Sequence, residues 1–124
     1  LFRSEMASRN YFFNGIAELL ILSILKNNDT YIYGIKKIVD DISNGSLPLS
    51  QNTIYAAAYK LEQENKITEY SKLVGRKRTR VYYHIEAEGL IYLDDLLSNY
   101  RIITKNVDNL LSFLRSNREE NTNE

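Results

Sequence analysis

The chain has 124 residues, 44% of them apolar, and its 16 basic and 16 acidic side chains cancel to a formal net charge of zero. That is one domain's worth of chain, with a small core that association with a second copy would help to stabilise. There is no cysteine, which excludes a disulfide framework and thiol chemistry, and the single histidine, His84, excludes a histidine-rich metal site.

In chain order, residues 1–10 read as an N-terminal arm, disordered, ahead of the fold. A continuous apolar stretch runs from Tyr11 to Lys26. Its densest part, "IAELLILSIL" (16–25), is too short for the ~20 residues of a spanning helix and carries Glu18, so a buried helix is expected and no membrane segment. The turn-forming Asn27, Asn28 and Asp29 stop it. A second helix is expected from Ile32 to about Ser43, with Ile35, Ile38, Val39 and Ile42 at helical spacing. After the "NGSLPL" loop, Ser50 is placed to N-cap a third helix from Gln51 to about Glu64. Ile54, Ala57, Ala58 and Leu61 form its inward face, and Asn65 serves as a left-handed C-cap.

"KITEYSKLV" and "TRVYYHI" alternate as two strands joined at Gly75. On the second strand, one of Tyr82 and Tyr83 must point inward and the other outward. A long helix follows from residue 87 to about 115, leaving 116–124 as a polar, frayed tail. Its apolar positions Leu93, Leu96, Tyr100, Ile103, Val107, Leu110 and Leu114 repeat at 3 and 4, the period of a helix packed lengthwise on a partner. The expected fold is therefore mainly α with a small β-hairpin: a winged helix-turn-helix over residues 11–86, then a C-terminal dimerisation helix.

The hairpin turn concentrates charge. From Lys72 to Arg80 there are five cations (Lys72, Arg76, Lys77, Arg78 and Arg80) and no acid. Local charge decides phosphate binding more than net charge does, and a symmetric dimer would present this patch twice. The third helix opens with Ser50, Gln51, Asn52 and Thr53, short donors and acceptors suited to base edges or phosphates. Tyr55, Tyr59 and Lys60 follow for backbone contacts. Capping by Ser50 and phosphate binding are compatible, because free N–H groups at a helix start attract anions. The acid pairs Asp40/Asp41 and Asp94/Asp95 have no nucleophile, histidine or phosphate loop beside them, so no enzymatic site is expected. Most of the ten tyrosines read as core or rim residues with a hydroxyl at water.

Three segments, "LLILSIL", "YIYGIKKIVDDISNGSLPLSQNTIYAAAYKLEQENKI" and "GRKRTRVYYHIEAEG", resemble the PadR family of bacterial transcription regulators. The resemblance runs from about Tyr11 to Leu114 and is most specific at Tyr33-Gly34, Asn44-Gly45, Ile54-Tyr55, Leu61-Glu62, Gly75-Arg76 and Tyr82-Tyr83. The single long last helix looks most like the short, multidrug-binding subgroup. The resemblance implies a homodimeric repressor in the cytoplasm that binds a palindromic or near-palindromic operator in double-stranded DNA. Tyr33, Lys36, the third helix and the wing would make the DNA contacts. It also implies an interface pocket for a small aromatic or cationic ligand, lined by Phe12, Gly15, Glu18, Leu19 and Tyr100, and no cofactor or metal. The chain departs from the family pattern at Tyr59-Lys60 (often Lys-Arg), Asn65 (usually glycine), Glu86 (a threonine cap) and Tyr100 (tryptophan in the subgroup). Two readings of Tyr100 stay open: it props two helices apart around a slot, or it fills the interface. The alternative function is an architectural or partition-type DNA-binding protein with no ligand pocket.

Overall fold

The computed structural model describes the backbone of residues 2–47 and 49–123 and the side chains of 15–47 and 49–120. The element order is α1 (Phe2–Asn27), α2 (Ile32–Ser43), α3 (Gln51–Gln63), β1 (Ile67–Leu73), β2 (Thr79–Ile85) and α4 (Ala87–Asn123). The chain divides into two units, one ending at Leu93 and the other beginning at Asp94.

The first unit is a winged helix. Its core takes Ile21, Leu22 and Leu25 from α1, Ile35 and Val39 from α2, Ile54, Ala58 and Leu61 from α3, and Ile67, Tyr83 and Ile85 from the hairpin. Burying each such large aliphatic side chain contributes roughly 1.5–3 kcal/mol before entropy is counted. Two helix ends follow from asparagine. Asn44 and Asn65 adopt left-handed φ values of 52° and 60°, which asparagine tolerates better than other side chains. Gly45 N–H then reaches Asp40 C=O at 3.0 Å, and Lys66 N–H reaches Leu61 C=O at 2.9 Å, so both helices end in a Schellman closure.

β1 and β2 pair antiparallel, with Tyr70 opposite Tyr82 and Lys72 opposite Arg80. Tyr83 N–H donates to Thr30 C=O at 2.8 Å, adding a one-residue third strand from the α1–α2 connection. Val74 N–H donates to Arg78 C=O at 2.8 Å and closes the turn, in which Gly75 takes a φ of +80°. Tyr83 is buried and Tyr82 half-buried, the alternation expected from sequence.

Three expectations need correction. Ile38 and Ile42 are exposed, and α2 buries Ile32, Ile35 and Val39 instead. α1 begins at Phe2, where an arm was expected over 1–10; Arg3, Glu5, Met6 and Ala7 are good helix formers. The expected tail after residue 115 is helical to Asn123. That stretch holds no glycine or proline, and Arg115 pairs with Glu119 at 3.5 Å across one turn. The second unit, from Asp94 on, is helical throughout to Asn123. Among the described residues no helix is long and apolar enough to cross a membrane.

Candidate nucleic-acid interface

Ser50 caps α3 by accepting the Thr53 N–H at 3.1 Å, and the Ser50 and Thr53 hydroxyls sit 2.9 Å apart. Those two side chains are therefore engaged with each other. Gln51 and Asn52, beside them, are exposed at the positive end of the helix. Burial of Ile54, Ala58 and Leu61 turns Tyr55 and Tyr59 outward. Ala57, expected on the inward face, is half-buried.

Lys60 has a partner that sequence reading did not supply. Its Nζ lies 3.1 Å from Glu18 Oε1, while Glu18 Oε2 accepts the Tyr92 hydroxyl at 2.6 Å. Glu18 is 8% exposed, so this carboxylate needs both partners. Its hydrogen bond raises the Lys60 pKa; the Tyr92 phenol is pushed up to about 12 by its bond to Glu18, with burial adding to it. Lys36 pairs with Asp40 at 2.8 Å.

The wing divides its residues by parity. Tyr70, Lys72, Arg80 and Tyr82 share one face. Tyr82 stacks on Tyr70 at 5.9 Å and meets Tyr31 at 5.5 Å. Arg80 lies 4.1 Å over the Tyr31 ring and Lys72 5.0 Å over Tyr82. Two cations are thus steered by aromatic faces. Arg76, Lys77 and Arg78 are exposed at the turn, and none of the ion pairs among the described side chains involves them.

A groove of about 360 Å³ joins these elements. It is lined by Tyr33 from α2, Gln51 and Tyr55 from α3, and Arg80, Val81 and Glu69 from the wing, among others. Four of the side chains expected to touch DNA therefore open onto one surface. Glu69 is an adverse presence there, since a carboxylate repels phosphate. Beside it, burial and the Glu69 carboxylate push the Glu62 pKa up.

The family model for the transcriptional regulator PadR-like family matches residues 21–95, more than half of the chain. The chain belongs to the PadR-like family. It is similar to a transcriptional regulator of Clostridium thermocellum, at 27% identity and a TM-score of 0.72 over 78% of this chain and 91% of that one. A PadR family transcription regulator of Clostridium difficile is 30% identical, with a TM-score of 0.66 over 77% of this chain and 97% of that one. The fold is also shared with Bacillus subtilis PadR, solved in complex with operator DNA. That match is 23% identical, with a TM-score of 0.61 over 66% of this chain and 46% of that one.

Membership places this PadR-like chain among transcriptional regulators rather than enzymes. The remaining expected site residues are scattered. Leu93, expected on the dimer seam, is 1% exposed within the first unit; its own chain has consumed its apolar surface. Leu96 is half-buried. Tyr100, Ile103, Val107, Leu110 and Leu114 are exposed in the single chain, as are Ile102, Leu111 and Phe113, which the seam did not include. Of the expected pocket residues, Gly15 and Glu18 line a groove of about 590 Å³ between α1 and α3, and Leu19 is buried. Phe12 lies outside the described side chains.

Sequence reading missed Tyr31 and Tyr70 as ring partners within this surface. Alternation alone could have put Tyr70 beside Tyr82, but no local signal points to Tyr31.

Proposed function

We propose that this PadR-like regulator is a homodimeric repressor that binds a palindromic or near-palindromic operator in double-stranded DNA and acts in the cytoplasm. The carrying observation is the convergence of Tyr33, Gln51, Tyr55 and Arg80 on one groove, beside a turn bearing Arg76, Lys77 and Arg78. On this reading the start of α3 enters the major groove, where Gln51 and Asn52 are free to meet base edges. Arg76, Lys77 and Arg78 neutralise phosphates, with Arg80 held ready by Tyr31. Tyr59 adds a backbone contact, and Ser50 and Thr53 contribute through the N–H groups they help to present.

Dimerisation on this reading uses the exposed apolar side chains of α4, chiefly Tyr100, Ile103, Val107, Leu110 and Leu114, with Leu96. We further propose that a small aromatic or cationic ligand releases the operator, as the resemblance to the multidrug-binding subgroup implies, with Tyr100 of each copy as its aromatic wall. The Glu18 charge is already matched by Lys60, and its other oxygen accepts the Tyr92 hydroxyl, so a cationic ligand would have to compete with Lys60 for that carboxylate.

Titration of the protein with a planar aromatic cation tests the ligand half. Saturable tyrosine quenching at one ligand per dimer, lost in Tyr100→Ala, is the expected result. No quenching by any such cation, in a protein that binds DNA, leaves an architectural DNA-binding role as the better reading.

A further inference from the structure

Asp29 sits in the short connection between α1 and α2, and its carboxylate grips both strands of the wing. Oδ2 accepts the Tyr70 hydroxyl at 2.8 Å, and Oδ1 lies 2.8 Å from His84 Nδ1. Tyr70 is on β1 and His84 on β2, and the register puts both on the face that carries Lys72, Arg80 and Tyr82. The next residue, Thr30, holds the opposite side of β2 through its carbonyl bond to Tyr83. Two adjacent loop residues thus fasten the root of the hairpin, one by backbone and one by charge. From Tyr70 the aromatic contacts continue to Tyr82, over which Lys72 lies, and on to Tyr31, over which Arg80 lies.

We propose that Asp29 is a positioning residue for the wing: by gripping Tyr70 and His84 it fixes where the hairpin cations stand, and protonation of His84 strengthens that grip. The DNA half of this rests on the nucleic-acid reading above. A cavity of about 500 Å³, walled by Lys26, Asn27, Asn28, Lys72 and Tyr82, opens onto Asp29 and His84, so water reaches the imidazole. The charged and titratable groups around His84 are Asp29 and Lys26 from the α1 end, Tyr70 and Lys72 from β1, Tyr82 from its own strand, and Glu86 just beyond it. Glu86 is engaged by the Thr68 hydroxyl at 2.7 Å.

The hydrogen bond to Asp29 raises the His84 pKa above its ordinary 6.5 against the opposing effect of burial. Burial pulls the Asp29 carboxyl upward, but its bonds to His84 and Tyr70 outweigh that and hold it below its ordinary value. The sign follows. His84 binds its proton more tightly in the folded chain, so its contribution is full below 6.5 and is lost as pH rises through the raised folded value. Asp29 contributes above its ordinary value and loses this as pH falls through the lowered one. The ion pair is therefore complete below 6.5 and, as pH passes the raised folded value, gives way to a hydrogen bond between a neutral imidazole and the Asp29 carboxylate.

The test uses the full chain and a random-sequence duplex at constant ionic strength. Affinity is measured from about pH 6 to 8.5, where His84 is the sole side chain of ordinary pKa to titrate. Wild-type affinity should fall on the order of two- to fivefold across that range, the scale of a partly exposed ion pair. Asp29→Asn, which keeps size and an acceptor oxygen, should bind more weakly at the acid end and keep only a shallow pH slope near 6.5; His84→Asn, which has no titrating ring, should be flat. The His84 ring-proton resonance should titrate above 6.5 in the wild type and return towards 6.5 in Asp29→Asn. A purely structural Asp29 would lower affinity equally at every pH and leave the slope intact, which overturns the proposal. An imidazole that titrates at its ordinary value in the wild type overturns the anchor itself. If the wild type binds no duplex at any pH, the nucleic-acid reading falls and takes the DNA half with it, while the ring-proton titration still decides the anchor.

Discussion

Lys60 Nζ lies 3.1 Å from Glu18 Oε1, and this contact ties the exposed side of α3 to a buried carboxylate of α1. The same carboxylate accepts the Tyr92 hydroxyl from the start of α4. One buried acid thus joins three helices, and its charge is paired with Lys60. Glu18→Gln should free Lys60, steepening the salt dependence of DNA binding by about one unit of log–log slope per lysine released. The Tyr92 phenol should also ionise closer to its ordinary 10.0 than to about 12. Because the folded chain holds that proton tightly, the Tyr92 contribution is full below 10.0 and lost towards about 12. A difference alkaline titration of wild type and variant reads this directly.

The wing cations should act as phosphate contacts. If Arg76, Lys77, Arg78 and Arg80 each neutralise one phosphate in both copies of a dimer, log affinity should fall with log salt at a slope near −7. Arg76→Ala combined with Arg78→Ala should weaken binding to every sequence alike and flatten the slope to roughly −4. Binding isotherms at four salt concentrations are sufficient, and an unchanged slope would remove the turn from the interface.

Glu69 lines the groove with Tyr55 and Arg80, where a carboxylate opposes DNA. Glu69→Gln should tighten binding several-fold at low salt, with the gain shrinking as salt screens the repulsion. It should also return the Glu62 pKa towards its ordinary range, since burial and the Glu69 carboxylate together raise it. Equal affinity of variant and wild type at low salt would place Glu69 away from the phosphates.

Gly89 is a packing requirement at the start of α4. A Cβ there would lie 2.2 Å from the Lys66 carbonyl oxygen and 2.8 Å from Ile85 Cγ1. Backbone atoms cannot swing aside as a flexible side chain can, so Gly89→Ala should destabilise the fold by roughly 1–3 kcal/mol despite alanine's better helix propensity. Chemical denaturation of the two proteins measures it, and a variant as stable as wild type would mean that α4 can shift at no cost.

The exposed apolar side chains of α4 should be covered by a second copy. Val107→Glu would place a carboxylate where it loses water without gaining a partner, and Leu110→Ala should weaken association by at least about tenfold. Sedimentation at micromolar concentration follows both variants, and a wild type that is monomeric there contradicts the seam.

Local chemistry made the helix ends and the hairpin legible. Ser50 and Asn65 cap as their side chains and left-handed tolerance dictate, and the cationic turn closes at Gly75. The buried face of α2 was misjudged at Ile42, because the apolar pattern admits two stripes and only the packed neighbours choose Ile32, Ile35 and Val39. Leu93 carries the same lesson, since a heptad seam does not say where a helix leaves its own domain's core. The Asp29 grip on Tyr70 and His84 spans separations of 41 and 55 residues. Nothing local marks a loop acid as the partner of a strand that far away; only the folded register brings them together.

Footprinting of the purified protein on the DNA upstream of its own gene tests the central claim most directly. The account predicts two protected half-sites related by a two-fold axis, spaced by about one helical turn or a multiple of it, with protection lost when Arg76 and Arg78 are both alanine. Unbroken protection of any DNA, or none at low salt, would contradict it.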